Sequence, residues 1–302
     1  VGLTSFFVHR DAEKLMLARL DWYRENEIEI HIGDRVTAID RKAKTATSDR
    51  GVQVAYDFAV MATGSFPFVP NVPGIQNRGV FVYRTIQDLE QIIAYSANCK
   101  RAAVIGGGLL GLEAAKAAYD LGMETHVVEF APRLMPRQID DAGSRILVQK
   151  IEALGVKVHL NKGTKEVLGD KGVSGILFSD GSQLDVEMVI VSAGIRPRDD
   201  LAKQAGLALG ERGGVIVNND LRTSDPDIYA IGEVALHSGM IYGLVAPGYN
   251  MAEIVARNLT DSSPTKFSGA DMSTKLKLMG IDVASFGDYE AKPEKARPLT
   301  FE

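Results

Sequence analysis

The sequence predicts an α/β fold with a mostly parallel sheet, and three observations support this expectation. Predicted strands alternate with predicted helices along most of the 302 residues. A glycine-rich GxGxxG sequence follows one strand and opens the next helix. A strand, hairpin and strand pattern occurs twice, with His31 of the first copy corresponding to His159 of the second. The chain is therefore expected to contain two related α/β domains.

The composition limits the class of protein. Hydrophobic residues make up 45% and charged residues 24%, which is typical of a globular protein. The formal net charge is −5 with both signs interspersed, so a nucleic-acid partner is not expected. No run of 18 apolar residues occurs, so we expect no membrane span. The single cysteine, Cys99, excludes an internal disulfide and a cysteine-ligated cluster held by this chain alone, and this low cysteine usage favours a cytoplasmic location. The histidine spacing predicts no metal site.

The first copy of the pattern occupies the N-terminal part of the chain. It comprises a helix at 11–26, a strand at 28–32, a hairpin over 36–56 and an apolar strand at 58–62. The continuous apolar character of the last strand predicts burial on both faces of a sheet.

The second copy is longer because it carries its own glycine-rich loop. Its elements are a strand at 101–105, helices at 112–121 and 142–154, strands at 125–129 and 156–160, and an apolar strand that leads to Gly194. Pro67 and Pro197 follow the apolar strands of the two copies. By the same spacing, the glycine-rich loop of the first copy would precede Val1, so we expect its N-terminal βαβ unit to be missing.

Gly106, Gly108 and Gly111 form the GxGxxG sequence, between a predicted strand and a predicted helix. In a dinucleotide-binding Rossmann fold, these glycines allow a tight turn, close approach of the pyrophosphate and close packing of helix on strand. The helix N-terminus then supplies N–H donors to the phosphates. An ordinary glycine-rich turn is the alternative interpretation.

Three charged residues near this loop have candidate roles. Glu129 ends the next strand, where an acid accepts hydrogen bonds from the adenosine ribose and favours NADH over NADPH. A solvated strand-end carboxylate is the alternative. Arg133 could weaken the preference by pairing with a 2′-phosphate. Glu113 either faces the nicotinamide end of the cofactor or is simply favoured by the helix dipole.

Two further strand ends carry glycine and polar residues. Ala62, Thr63 and Gly64 end the apolar strand of the first copy. Gly232 and Glu233 follow a short apolar strand, where an acid can bind a chain of hydroxyl groups. Since ligands bind outside the carboxyl ends of parallel strands, both ends are candidate binding positions. Each could also be a plain strand terminus.

The order of these features resembles the flavoproteins with two dinucleotide-binding domains that are related to glutathione reductase. The chain lacks their paired redox cysteines, which argues against disulfide reduction. It is more narrowly similar to the large subunits of assimilatory NAD(P)H nitrite reductases. The similarity lies in five stretches, at 82–89, 107–116, 128–135, 192–198 and 269–277.

This resemblance implies the cofactors and the residues that bind them. It implies FAD at Ala62, Thr63, Gly64, Gly232 and Glu233, where the wider flavoprotein group usually has Asp in place of Glu233. It implies NAD(P)H, preferably NADH, at the glycine-rich loop. The implied residues there are Gly106, Gly108, Leu109, Leu110, Gly111, Glu129 and Gly194, with Glu113 near the nicotinamide and Arg84 near the flavin.

The expected organisation follows from the repeat and the resemblance together. We expect an FAD-binding domain at 1–90 and 213–262, interrupted by an NAD(P)H-binding domain at 91–212. Residues 263–302 would begin a C-terminal α+β interface domain. The expected reaction is hydride transfer from NAD(P)H to FAD, with electrons passing to iron–sulfur and siroheme centres in a C-terminal part outside this sequence. A homodimer is also an expectation.

Two alternatives stay open at the level of sequence. The chain could belong to a stand-alone NADH-dependent reductase of rubredoxin or ferredoxin, or to an NADH oxidase, in which an electron-acceptor protein or oxygen is the partner. It could also be a protein that binds NADH and responds to it without turnover.

Overall fold

The computed structural model describes residues 3, 6–7, 10–260, 264–278 and 281–285, with only the backbone given for 274–278. The described chain forms two compact units. The first unit comprises Met16–Phe66 and Ile195–Met272. The second comprises Pro67–Gly194 with the described residues of Gly2–Leu15 and Ser273–Glu302.

The helices and strands are numbered in chain order. The helices are α1 (Leu20–Glu25), α2 (Ile86–Ser96), α3 (Leu109–Asp120), α4 (Asp141–Ala153), α5 (Asp200–Gln204) and α6 (Val245–Thr260). The strands are β1 (Val36–Asp40), β2 (Thr45–Ser48), β3 (Gln53–Ala55), β4 (Ala59–Met61), β5 (Ser65–Pro67), β6 (Val80–Val82), β7 (Arg101–Ile105), β8 (Glu124–Val128), β9 (Lys157–His159), β10 (Thr164–Leu168), β11 (Gly175–Phe178), β12 (Gln183–Leu184), β13 (Met188–Val191), β14 (Ile195–Pro197), β15 (Val215–Val217), β16 (Ile228–Ala230), β17 (Ala235–His237), β18 (Thr274–Leu278) and β19 (Ile281–Ser285).

A five-stranded parallel sheet organises the second unit, with strand order β6-β13-β7-β8-β9. Strand β13 is apolar throughout because both of its faces are covered: all four of its residues are at most 1% exposed. Helix α3 packs on one face, where its small residues Ala114, Ala117 and Ala118 are fully buried. Hairpin strands β10, β11 and β12 contribute to the core of the other face. The sheet is thus a buried platform whose five strands all point the same way.

The first unit is built from smaller sheets. Strands β1, β2 and β3 form an antiparallel sheet, while β4 pairs with β16 and β15 pairs with β17, both in parallel. Strand β5 pairs with β14, so the segments that carry the repeated prolines form one small sheet. The core includes the fully buried Tyr229 and Phe267, with Met251 from α6.

The α/β fold class is confirmed, and most predicted elements of the second copy are present. The predicted strands at 101–105, 125–129 and 156–160 correspond to β7, β8 and β9, and the two predicted helices to α3 and α4. The glycine-rich loop lies between β7 and α3 as predicted. Among the helices that the structure describes, none is long and apolar enough to cross a lipid bilayer.

Three predictions for the first copy are wrong. The helix at 11–26 is reduced to α1 and a 3₁₀ turn at Glu13–Leu15, because Leu17 and its neighbours bury no apolar face and short helices need one. Residues 28–32 form no strand, since no described strand lies beside them to complete a ladder. Strand β4 is not buried on both faces: β16 is its one described neighbour, and Val60 is 44% exposed.

The division into units also differs from the expected domain boundaries. Residues 67–90 belong to the second unit because β6 pairs with β13 in the five-stranded sheet. Residues 195–212 belong to the first unit, which contains β14. The two compact units thus divide the chain about 20 residues before each of the two expected boundaries, and the expected FAD-binding and NAD(P)H-binding domains stay a prediction.

Two histidines on neighbouring strands form a partly buried pair, with His126 in the middle of β8 and His159 at the end of β9. The Nδ1 atom of His126 lies 2.9 Å from Nε2 of His159, and their rings are stacked. Burial lowers the pKa of both imidazoles below the usual 6.5. Glu124 opposes this shift for His126, while Lys157 and Lys162 reinforce it for His159. The pair is therefore most stable when neutral.

This pair predicts that the protein loses stability when the pH falls below about 6.5. The unfolded chain then binds protons that the folded pair resists, at about 1.4 kcal/mol per pH unit for each proton. Above the ordinary pKa both states are neutral and the contribution is constant. We expect the urea midpoint to fall between about pH 7.5 and pH 5.5, and less steeply in the His159→Leu variant. Equal slopes in the wild type and in His159→Leu would contradict the assignment.

Candidate functional site

The predicted site residues of the second unit converge on one edge of its sheet. The carboxyl ends of parallel strands lie at the same edge, which is where α/β proteins bind ligands. The structure places Arg84 after β6, Gly106 after β7, Glu129 after β8 and Gly194 after β13. Residues more than 100 positions apart in sequence therefore share one edge.

The three motif glycines are required for three different reasons. Gly106 has φ of +120°, and a Cβ there would lie 2.2 Å from the carbonyl oxygen of Ser192. A Cβ on Gly111 would lie 1.9 Å from the carbonyl oxygen of Gly106, so helix and loop pack in direct contact. A Cβ on Gly108 would meet no protein atom within 4 Å. The backbone at Gly108 thus faces open space, as the close approach of a phosphate would require.

Helix α3 begins at this open position. Gly108 is its N-cap and provides no side chain to accept hydrogen bonds from the first helical N–H groups. Leu109 and Leu110 form the start of the first turn, so their amides lie at the positive end of the helix dipole. The arrangement is suited to an anion, and it needs no cationic side chain.

Glu129 is tied to the glycine-rich loop by its own carboxylate. One oxygen, Oε2, accepts a hydrogen bond of 2.6 Å from the amide of Gly107, and Oε1 accepts one of 2.7 Å from the amide of Ala131. Each carboxylate oxygen has more than one acceptor site, so both can accept a further hydrogen bond. The carboxylate is thus held in place for a hydroxyl-bearing ligand. A freely solvated strand-end carboxylate would not make these bonds.

Arg133 is engaged with protein groups in this structure. Its Nη1 lies 2.9 Å from Oδ1 of Asp141, and its Nη2 donates to the carbonyl oxygen of Pro136 at 3.3 Å. A phosphate that recruited this guanidinium would have to compete with the carboxylate of Asp141.

Glu113 lies deeper in α3 than the sequence suggested. The helix begins at Leu109, which makes Glu113 its fifth residue and places it beyond the first turn. The helix dipole acts mainly within the first turn, so it does not account for an acid here. Arg84 lies between β6 and α2, where its backbone amide donates to Asp88 at 3.2 Å. Both side chains are half-buried.

The first unit contains a second set of converging strand ends. Strands β4 and β16 are parallel and in register, so Ala62–Gly64 and Gly232–Glu233 leave the pair at the same edge. The hydroxyl of Ser65 donates to Oε2 of Glu233 at 2.7 Å and joins the two segments. The hydroxyl of Thr63 donates to the carbonyl oxygen of Arg198 at 2.7 Å, which gives Thr63 a role in fixing the end of β4.

Two glycines at this edge expose backbone to open space. Gly64 and Gly232 have φ of +68° and +70°, and a Cβ on either would meet no protein atom within 4 Å. The start of α6 packs beside Gly232, because a Cβ on Gly248 would lie 3.5 Å from its Cα. The amide of Gly232 also points to the sulfur of Met251 at 3.3 Å. An extended polar ligand could therefore lie along this edge.

Sequence reasoning missed three residues of this second edge, namely Ser65, Gly248 and Met251. The start of α6 carries one usable signal, since Pro247 in the first turn is typical of a helix N-terminus. No local pattern reveals Ser65 or Met251, because each of them contacts a residue that is distant in sequence. In the described residues, no group of three or more His, Cys, Asp or Glu side chains could hold a metal ion.

Comparison with known proteins identifies the family. The model of the pyridine nucleotide-disulphide oxidoreductases matches residues 7–255. The chain belongs to this family. The nitrite reductase [NAD(P)H] large subunit of Klebsiella oxytoca is 52% identical over 97% of the chain and 30% of that protein. The nitrite reductase (NADH) large subunit of Escherichia coli K12 is 46% identical over the whole chain and 36% of that protein. The chain thus spans about a third of the length of these relatives.

Other similar proteins are covered more completely. The rubredoxin-NAD(+) reductase of Pseudomonas putida is 30% identical, over 95% of the chain and 76% of that protein. The crystal structure of reduced Bacillus anthracis CoADR-RHD has a TM-score of 0.89 at 27% identity, covering 96% of the chain and 54% of that protein. The water-forming NADH oxidase of Lactobacillus brevis bound to NADH has a TM-score of 0.82 at 25% identity, covering 92% and 64%.

These findings confirm the resemblance noted in the sequence. The family consists of FAD-dependent NAD(P)H oxidoreductases, so its cofactors are FAD and NAD(P)H. The two glycine-lined edges fit such ligands, since each presents open backbone at the carboxyl ends of parallel strands.

The glycine geometry predicts opposite effects of two similar substitutions. Gly111→Ala should destabilise the protein by about 1–3 kcal/mol, because its Cβ overlaps the Gly106 carbonyl. Gly108→Ala should leave the free energy of unfolding nearly unchanged, because its Cβ meets open space and its φ of −83° suits alanine. Urea denaturation of both variants tests this, and equal stability would contradict the described packing of α3.

Proposed function

We propose that this chain is the electron-entry portion of an NAD(P)H-dependent nitrite reductase, binding NAD(P)H in its second unit and FAD in its first. The identity of 46–52% across essentially the whole chain carries the proposal. The two glycine-lined edges support it, because the enzyme needs one dinucleotide site for each cofactor.

In the second unit, the proposed site uses backbone more than side chains. The open backbone at Gly108 and the amides of Leu109 and Leu110 would receive the pyrophosphate. The fixed carboxylate of Glu129 would accept hydrogen bonds from the adenosine ribose, and a 2′-phosphate would be repelled there. We therefore propose a preference for NADH. Glu113 would face the nicotinamide, and Gly194 and Arg84 would line the same sheet edge.

In the first unit, the proposed FAD site lies between the ends of β4 and β16. Backbone at Gly64 and Gly232 can approach the cofactor closely, and Ala62 and Thr63 complete the segment beside it. Glu233 would accept hydrogen bonds from the ribityl hydroxyls while Ser65 holds its carboxylate in place. When bound, FAD accepts a hydride from the nicotinamide and can release electrons singly. The chain's own residues bind and orient it.

The electrons would leave this chain for centres that it does not carry. Its single cysteine, Cys99, cannot provide the thiolate set of an iron–sulfur cluster. We propose that the acceptors are siroheme and iron–sulfur centres elsewhere in the parent protein. We also propose a cytoplasmic location and a homodimer. Light scattering of the purified chain would test the homodimer.

A second candidate function is a stand-alone NADH-dependent reductase of rubredoxin. It is favoured by the Pseudomonas putida relative, of which the chain covers 76%. The two functions differ in their electron acceptor, so turnover with purified rubredoxin would favour the second one.

The proposed function is tested by flavin reduction. The purified chain supplied with FAD should lose the visible flavin absorbance when NADH is added without oxygen, and should then reduce ferricyanide with turnover. Reduction and turnover would also exclude a protein that only binds NADH. If the FAD-loaded chain is not reduced by NADH, the proposal fails.

The contacts of Glu129 predict the cofactor preference of the enzyme. Glu129→Ala removes hydrogen bonds to a charged group, so kcat/KM for NADH should fall about ten- to a hundredfold. The value for NADPH should fall less, because the repulsion of its 2′-phosphate is relieved. The ratio of the two kcat/KM values measures this effect. Glu124→Ala, at the opposite end of β8, is the matched control and should leave the ratio unchanged. An unchanged ratio in Glu129→Ala would show that Glu129 does not set specificity.

A further inference from the structure

Phe130 is the most exposed aromatic side chain among the residues that the structure describes. It is 80% exposed, although it directly follows Glu129 at the carboxyl edge of the five-stranded sheet. A phenyl ring in water gains nothing from burial in the core, so folding does not account for its position. None of the roles assigned so far uses this ring.

The backbone that carries Phe130 is held on both sides. The amide of Glu129 donates to the carbonyl oxygen of His159 at 2.8 Å, and the carbonyl oxygen of Glu129 accepts from Lys162 at 3.0 Å. The carbonyl oxygen of Ala131 accepts from Asn161 at 3.1 Å. The position of the ring is therefore set by fixed backbone rather than by a free loop.

One edge of the ring lies near Gly163. A Cβ on this glycine would lie 3.4 Å and 3.6 Å from the Cδ2 and Cε2 atoms of Phe130. The carbonyl oxygen of Gly163 is itself fixed, because it accepts hydrogen bonds from the amide and the hydroxyl of Ser179. The ring thus has one edge beside a fixed glycine and offers most of its surface to solvent.

The surroundings of the ring are polar. Lys162 is paired with Asp180 and Ser182 next to Gly163. An interface with another protein usually has an apolar centre, which a single ring among charged groups does not provide. A flat, mostly apolar ligand with polar substituents fits this environment better.

We propose that Phe130 is the stacking platform for the adenine ring of NADH. The inference rests on the proposed function, in which Glu129 binds the adenosine ribose. Adenine is bonded directly to that ribose, so the residue next to Glu129 is within its reach. An aromatic face stacks on any nucleobase without requiring a hydrogen-bond pattern. Phe130 would therefore position the adenosine end of the cofactor and take no part in hydride transfer.

The test compares a ligand that contains adenine with one that lacks it. Calorimetric titration of the full chain with NADH should show a Kd about tenfold higher in Phe130→Ala than in the wild type. Phe130→Trp keeps an aromatic face and should restore most of the affinity. Reduced nicotinamide mononucleotide, which lacks the adenosine, should bind or react equally with all three proteins.

Tyr119 offers a matched control. It is also an exposed ring set beside a glycine, since a Cβ on Gly155 would lie 3.6 Å from its Cε2 atom, but it lies at the far end of α3 from Gly108. Tyr119→Ala should leave the Kd for NADH unchanged. The proposal would be overturned if Phe130→Ala bound NADH with unchanged affinity, or if its affinity for the mononucleotide fell as much as its affinity for NADH. A wild-type chain that binds no NADH would instead contradict the proposed function.

Discussion

The contact between helix α3 and the loop that precedes it is the constraint on which the second unit's site depends. Gly111 packs directly against the carbonyl of Gly106, at a separation that excludes any side chain. This packing fixes the start of α3 at the carboxyl edge of the sheet and leaves the backbone at Gly108 open. It also sets the position of the Gly107 amide, which holds the carboxylate of Glu129. The groups proposed to bind phosphate and ribose are thus placed by one steric contact.

The first unit also places open glycine backbone and a fixed acid at one sheet edge, but it uses different elements. Its parallel pair β4 and β16 brings two glycines to one edge, and the start of α6 packs beside Gly232 through Gly248. A hydrogen bond between Ser65 and Glu233 joins the two strand ends. In both units, therefore, glycine leaves backbone open at a strand end, and a single acid beside it is fixed by a neighbouring hydrogen-bond donor.

The sequence predicted the structure best where the local sequence pattern alone determines the elements that form. The elements around Gly106, Gly108 and Gly111 could be predicted because strand, loop, helix and acid follow one another within 30 residues. The strand at 28–32 could not be predicted reliably, since alternation indicates a strand only when a neighbour completes its hydrogen bonds.

Side-chain contacts between distant segments were equally hidden. The hydrogen bond between Ser65 and Glu233 spans 168 positions, and the one that Thr63 donates to Arg198 spans 135. Gly163, the glycine beside Phe130, lies in the connection between β9 and β10, whereas Phe130 follows β8. Such pairs depend on how strands are ordered in a sheet, which local sequence patterns do not specify.

Amide hydrogen exchange in the presence of each cofactor tests the central claim most directly. We claim that two dinucleotides bind at two separate glycine-lined edges. NADH should slow exchange at 106–112 and 129–131 in the second unit, and FAD should do so at 62–65, 231–234 and 245–251 in the first. Protection by NADH at the opposite edge, around 97–100 and 121–123, would contradict the account, and so would protection of the same segments by both cofactors.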